Sequence, residues 1–293
     1  MNINEKISEV RSMKKHFRIS YFTIIKEYLS KKKESLKLND KSSNISFNIT
    51  FNQLPSLALM LDNNWKIIKN TETYLQMSGP KGEMLSCRTQ IGNDFGHIVE
   101  IYINNAYGID FEGKNVIDIG MSNGDSSIFF AKNGAKLVVG VEPDKRSFNL
   151  ALNNINESQV NRIVLPLNKA LSDKDGIVQL LVYNSNPNGN SIDETNMVKL
   201  NDSNFKESIE AINLSTVVNM FKGEDIHFLK MDCEGCEYNV LQNISKELFS
   251  KILKINLEYH HGLQDIPEIL NKNGFHIKVI RHDNLIGYIK ASR

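Results

Sequence analysis

With 293 residues and 41% apolar content, the chain can bury a sizeable core, as one large domain or as one domain with an appendage. Its net charge of +1 hides an asymmetry: residues 1–46 carry eleven Lys/Arg against five Asp/Glu, leaving the remainder mildly acidic. No run approaches the roughly 20 apolar residues of a membrane span and the first residues lack the apolar stretch of a secretory signal. The three cysteines, Cys87, Cys233 and Cys236, form no paired framework, so the expectation is a cytoplasmic protein from a reducing compartment.

From about Glu5 to Lys33, the residues Phe17, Tyr21, Ile24, Ile25 and Tyr28 fall at i, i+4, i+7, i+8 and i+11, which predicts a helix with one apolar face. That stripe must dock, on the domain itself or on a second copy in a homodimer. Its lysines at 14, 15, 31, 32 and 33 could reach an anionic membrane surface as a peripheral contact, or nucleic acid. Interleaved Glu5, Glu9, Glu27 and Glu34 favour a solvated face instead. Polar residues 37–44 read as a hinge. Beyond them Ile45, Phe47, Ile49 and Phe51 alternate with polar residues, as do Val99, Ile101 and Ile103, so residues 45–112 read as strand-rich.

From Asn115 onward, short apolar strands alternate with helical stretches, the pattern of an α/β fold with a mostly parallel sheet covered on both faces. Strands are predicted at Val116 to Ile119, Leu137 to Val141, Ile163 to Leu167, Phe228 to Met231 and Ile255 to Leu257, with an extra strand over Ile177 to Tyr183. His276 to Ile280 and Leu285 to Ile289 are separated by only four residues, too few for a parallel crossover, and must pair antiparallel.

The chemistry begins at NVIDIGMSNGDSS. Asp118 closes a strand, and Gly120 and Gly124 bracket a turn into a helix, where backbone can approach a ligand closely. The next strand ends in Glu142, placed to accept hydrogen bonds from ribose hydroxyls. A dinucleotide site would show GxGxxG so that a pyrophosphate could sit on the helix N-terminus; here the spacing is GxxxG, which argues against an oxidoreductase. An acid beside the turn suits a cationic amino acid and sulfonium, pointing to S-adenosyl-L-methionine.

The stretches VIDIGMSNGDSSIFFAKNGAKLVVGVEPD, LNKALSDKDG, FLKMDCEGCEYNVL and INLEYH, in that order, resemble the successive signatures of the FkbM-type S-adenosylmethionine-dependent methyltransferases. The resemblance spans about Tyr107 to the C-terminus. It implies the class I methyltransferase Rossmann-like fold, a seven-stranded mostly parallel sheet with an antiparallel C-terminal hairpin, and methyl transfer, usually to oxygen. It further implies that Asp118, Gly120, Asn123 and Gly124 hold the methionine part, Glu142 the ribose, and Asn168, Lys169 and Ala170 the adenine edge, with Tyr107 lining the donor site. The organisation expected is a basic helical extension over residues 1–44, a strand-rich region over 45–112 that helps shape the acceptor site, and a catalytic domain over 113–293. The expected acceptor is a small hydroxylated molecule such as a sugar or glycolipid. A methyltransferase acting on nitrogen or RNA, and a non-catalytic adenosine-binding protein, are the alternatives. The absence of an NPPY-like tetrapeptide and of any recognisable RNA-binding module argues against nucleic acid.

In LKMDCEGCE, Asp232 emerges beside the methyl donor, and the family pattern D-x-E-G-x-E has cysteine at both x positions. With no second CxxC to complete a zinc site, no thioredoxin-like context for a redox pair, and a local disulfide plausible chiefly in a hyperthermophile's protein, Cys233 and Cys236 read as small fillers. Lys230 reads as a buried partner for one of the acids. Candidates for the base are Asp232, Glu234, Glu258 and His260, the last with the most useful unperturbed pKa. The same four could hold Mg²⁺, which would lower the acceptor's pKa. Asn190 and Ser191, in a polar loop, match a small polar step of the family, and that loop could read a polyhydroxy acceptor.

Overall fold

The computed structural model describes residues 3–30, 35–71, 73–192, 204–281 and 283–293. They fall into two compact units, Met1–Gly108 and Ile109–Arg293.

The first unit opens with α1 (Ile3–His16) and α2 (Tyr21–Leu29). The single helix expected as far as Lys33 is interrupted. Phe17 forms a bridge to Asp40, and Ser20, in an extended conformation, caps α2 by accepting from the Thr23 amide, which fixes a new helix start. Only part of the apolar stripe docks: Phe17 and Ile24 are buried, whereas Tyr21 and Ile25 are exposed. The expected hinge is instead a hairpin of β1 (Ser35–Asn39) and β2 (Ser46–Thr50). Its turn is closed by Asn44 at φ +57° and by the Ser43 amide donating to Asp40. Next come α3 (Leu54–Asp62), an antiparallel sheet of β3 (Lys66–Asn70), β4 (Tyr74–Ser78) and β5 (Met84–Arg88), and α4 (Asp94–Ile98). The alternation at Val99, Ile101 and Ile103 predicted a strand, but α4 runs on as a π-helical turn, Val99–Ile103. Phe95, Ile98 and Ile101 are buried at i, i+3 and i+6, so the helical spacing buries more than the alternating one. A bidentate pair, Arg88 with Asp94 at 2.7 Å, lies buried at the end of β5.

In the second unit, β6 (Asn115–Ile119), α5 (Asp125–Lys132), β7 (Leu137–Val141), α6 (Lys145–Glu157) and β8 (Val164–Leu167) follow in strict alternation. Every residue of β6 is buried, as expected for a strand covered on both faces. A side sheet is made of β9 (Ala170–Ser172), β10 (Gly176–Tyr183) and β11 (Asn204–Asn213), in the order β10-β11-β9. The chain then returns through α7 (Leu214–Asn219), β12 (Phe228–Met231), α8 (Cys236–Asn243), α9 (Lys246–Ser250), β13 (Lys254–Tyr259), α10 (Ile266–Lys272), β14 (His276–Arg281) and β15 (Gly287–Ser292). The main sheet has seven strands in the order β14-β15-β13-β12-β6-β7-β8. The run β13-β12-β6-β7-β8 is parallel, while β15 is antiparallel to both β13 and β14. This is the class I methyltransferase sheet that the resemblance implied. The order reverses between β6 and β12, so the carboxyl ends of these two strands frame the crevice where such sheets place ligands.

Candidate active site

Backbone close approach defines one wall of the crevice. Gly120, directly after β6, has φ +76°, and a Cβ there would lie 1.8 Å from the Asp232 carbonyl oxygen; only glycine lets the turns after β6 and β12 meet. Gly124 at φ +85° lies over Ala151, whose Cβ would be 3.2 Å from an added one. Between them, Asn123 is fully buried. Its Oδ1 accepts from the Asp125 amide at 3.3 Å and its carbonyl accepts from Asn154 at 2.9 Å, while its own Nδ2 donates to nothing.

Asp118 is fully buried beneath this turn. Its Oδ2 accepts from the Ser126 and Ser127 hydroxyls at 2.7 and 2.6 Å, and its Oδ1 faces Lys230 Nζ at 3.4 Å. Lys230 is thus the buried partner that the sequence suggested. It donates to the carbonyls of Ile119 and Gly120 and lies 3.7 Å from Asp232. Burial alone would lower the Lys230 pKa, but Asp118, Asp232 and Asp125 outweigh it and raise the value. Glu142, at the end of β7, spans the turn: its carboxylate accepts from the amides of Ser122 at 3.0 Å and Asp144 at 2.8 Å. Asn168 donates to the carbonyls of Glu142 and Pro143, Lys169 pairs with Glu210, and Ala170 is buried at the start of β9. Tyr107 lies half-buried in a turn of the first unit.

The four candidate bases converge. His260 follows β13 and points Nε2 at Glu234 Oε2 (3.5 Å), Asp232 Oδ1 (3.7 Å) and Glu258 Oε1 (4.0 Å). Its Nδ1 lies 3.5 Å from Glu237 Oε1. Burial would lower its pKa, yet Glu237, Glu234 and Asp232 push it up to about 10, so His260 is an imidazolium at neutral pH. Glu234 is pushed up to about 7, chiefly by burial and also by Asp232 and Glu237, against the pull of His260. The value useful for proton transfer near neutrality therefore sits on Glu234, not on the histidine.

The loop that presents Glu234 is pinned from several sides. Cys233 and Cys236 form a disulfide, which corrects their reading as fillers. Glu234 at φ +56° and Gly235 at φ +115° curl the segment until the two Cα atoms are 5.5 Å apart, within reach of a bridge. Glu237, fully buried, accepts from the Cys233 and Gly235 amides at 3.0 and 2.9 Å. The Ser191 hydroxyl donates to the Glu234 carbonyl, and Asn190 bonds Asp144 and the Tyr183 amide. The rest of the polar loop that followed, residues 193–203, lies outside the described residues. Glu237, Ser126 and Ser127 were given no role from sequence. Glu237 had a signal, as the second glutamate of D-x-E-G-x-E; the serines had none beyond their place at a helix start.

A family model described as the methyltransferase FkbM domain matches residues 118–277, more than half of the chain. No curated protein matches. Among solved structures, the methyltransferase FkbM of Methylobacillus flagellatus KT is 16% identical with a TM-score of 0.45, over 66% of this chain and 47% of its own length. This chain therefore spans about half of that protein. The magnesium protoporphyrin IX methyltransferase of Synechocystis PCC 6803, with bound SAH, is 14% identical (TM-score 0.37; 68% of this chain, 80% of that one). The ribosomal protein L11 methylase of Lactobacillus delbrueckii subsp. bulgaricus is also 14% identical (TM-score 0.37; 68% and 78%).

Proposed function

Since the chain belongs to the methyltransferase FkbM domain family, we propose that it is an S-adenosylmethionine-dependent methyltransferase that methylates a hydroxyl oxygen of a small polyhydroxylated acceptor, a sugar or glycolipid, with Glu234 as the base. One observation carries this reading: Asp232, Glu234, Glu258 and His260 meet at the carboxyl edge of β12 and β13, and Glu234 among them has its pKa pushed up to about 7.

The residues present fit the donor. Gly120 lets the turns after β6 and β12 meet at the crevice, the buried Asn123 Nδ2 has no hydrogen-bond partner, and the Asp232 carboxylate, about one third exposed, suits a cationic ligand. Asp118, Gly120, Asn123 and Gly124 would hold its methionine end, Glu142 the ribose and residues 168–170 the adenine edge. When bound, the donor supplies an electrophilic methyl group on a sulfonium sulfur. The chain's own part is to orient the acceptor hydroxyl and remove its proton. Deprotonated Glu234 takes that proton, for which a pKa near 7 is well matched, and the His260 imidazolium 3.5 Å away keeps the carboxylate ready. Asp232, about one third exposed, is placed to accept a hydrogen bond from a neighbouring acceptor hydroxyl.

A divalent cation such as Mg²⁺ is the second reading, favoured by one observation: Asp232, Glu234 and His260 each offer a ligand atom within 4.8 Å of the others. It would have to displace the strongly held His260 proton, so direct proton transfer is preferred. Incubation with methyl-tritiated donor and a panel of sugars, glycolipids, amines and RNA tests the proposal. Label on a hydroxyl compound, unaffected by dialysis against chelator, is expected. Label confined to an amine or RNA, or donor binding without any demethylated product, would sink it.

A further inference from the structure

We propose that α2 is a docking face for an anionic lipid surface. On α2, Tyr21, Phe22, Ile25, Lys26 and Leu29 fall at i, i+1, i+4, i+5 and i+8 and are all exposed. The large apolar members are open to an unusual degree: Tyr21 61%, Phe22 78%, Ile25 57% and Leu29 79%. Single exposed apolar residues are ordinary on a protein surface, but four contiguous ones on a helix whose opposite face is already docked mark an interaction site. That opposite face holds Ile24 and Glu27, both about 1% exposed, so the helix has no further freedom to turn its outer residues inward.

Charge selects the occupant. Over residues 3–29 the cations are Lys6, Arg11, Lys14, Lys15, Arg18 and Lys26, against Glu5, Glu9 and Glu27, with Lys15 paired to Asp62. The acids that would make this a mixed, solvated face are largely withdrawn from it. Glu27 is buried, and Glu9 accepts the Tyr28 hydroxyl at 2.6 Å. Lys14 lies 4.7 Å from the Tyr21 ring centroid, which places a cation at the rim of the apolar row. A second copy docked on this face would set the same basic surface against itself, whereas an anionic bilayer meets both features at once. The apolar row enters the headgroup and acyl boundary, with aromatic rings at interfacial depth and cations facing phosphates. Among the described residues no helix is long and apolar enough to cross a membrane, so this contact would be peripheral.

Flotation of the full chain with vesicles tests this. Phosphatidylcholine vesicles containing phosphatidylglycerol should carry the protein at low salt and release it as salt rises, and vesicles of phosphatidylcholine alone should carry little. Phe22→Asp and Leu29→Asp, tested separately, should each weaken binding about tenfold or more, with unchanged circular dichroism because both side chains are exposed. A chain that stays behind from anionic vesicles at low salt overturns the proposal, as does equal binding by both folded variants. A lipid-free dimer in sedimentation that either variant dissolves also overturns it and makes a second copy the occupant.

Discussion

His260 and Glu234 share a proton-coupled contact: Nε2 and Oε2 lie 3.5 Å apart, and the pKa of each is raised, to about 10 and about 7. The imidazolium favours the Glu234 carboxylate, while burial and the neighbouring acids oppose it. Removing Glu234 should therefore remove the proposed base without touching the residues proposed to hold the donor. Glu234→Gln is expected to lower kcat by about 10²- to 10⁴-fold, with donor affinity by calorimetry unchanged. The wild-type rate should rise with pH through about 7, as Glu234 loses its proton, and that limb should be absent in the variant.

Stability should carry the opposite pH dependence. Folding raises the His260 pKa from 6.5 to about 10, so the native state holds a proton that the unfolded chain releases. The resulting stabilisation is complete below pH 6.5 and lost as pH climbs through 10, at no more than about 1.4 kcal/mol per pH unit for one group. Thermal midpoints recorded across that window should decline in the wild type and flatten in His260→Gln.

Lys230 neutralises a fully buried aspartate. Lys230→Met leaves Asp118 with its two serine hydroxyls and no countercharge, and should destabilise the second unit by about 3–5 kcal/mol. Asp118→Asn added to the same chain should recover much of that loss, a coupling that chemical denaturation of the four-member cycle would read. A simple sum of the two single effects would mean that the 3.4 Å contact is not an energetic pair.

The cysteine bridge can be counted directly. Alkylation of the unreduced, unfolded chain should tag Cys87 alone, and all three cysteines after reduction. Cys236→Ser should cost about 2 kcal/mol or less, because so short a loop gives little closure entropy.

Much of the second unit was legible because its strands are continuous apolar runs bounded by glycine and acid, and because Asp118, Gly120, Glu142 and Asp232 sit where such runs end. Glu234, Glu258 and His260 were candidates from their places near the ends of β12 and β13, and both glutamates lie within 4.0 Å of the His260 ring nitrogen. Their protonation was not legible, since the His260 pKa depends on Glu237, a residue brought under the ring by the curl at Gly235. That curl also joins Cys233 to Cys236, a pairing that the CxxC spacing allows and that the missing thioredoxin-like context argued against. In the first unit local patterns misled. Val99, Ile101 and Ile103 alternate like a strand, yet the tertiary environment rewarded Phe95, Ile98 and Ile101, and the Ser20 cap broke a helix whose periodicity ran straight through it.

The hydroxyl of Ser191 grips the peptide carbonyl of Glu234. The stretch around Ser191 thus cannot shift without tugging the residue proposed as the base, so a variant that lengthens or trims that stretch should alter the proposed proton transfer even though every carboxylate stays in place.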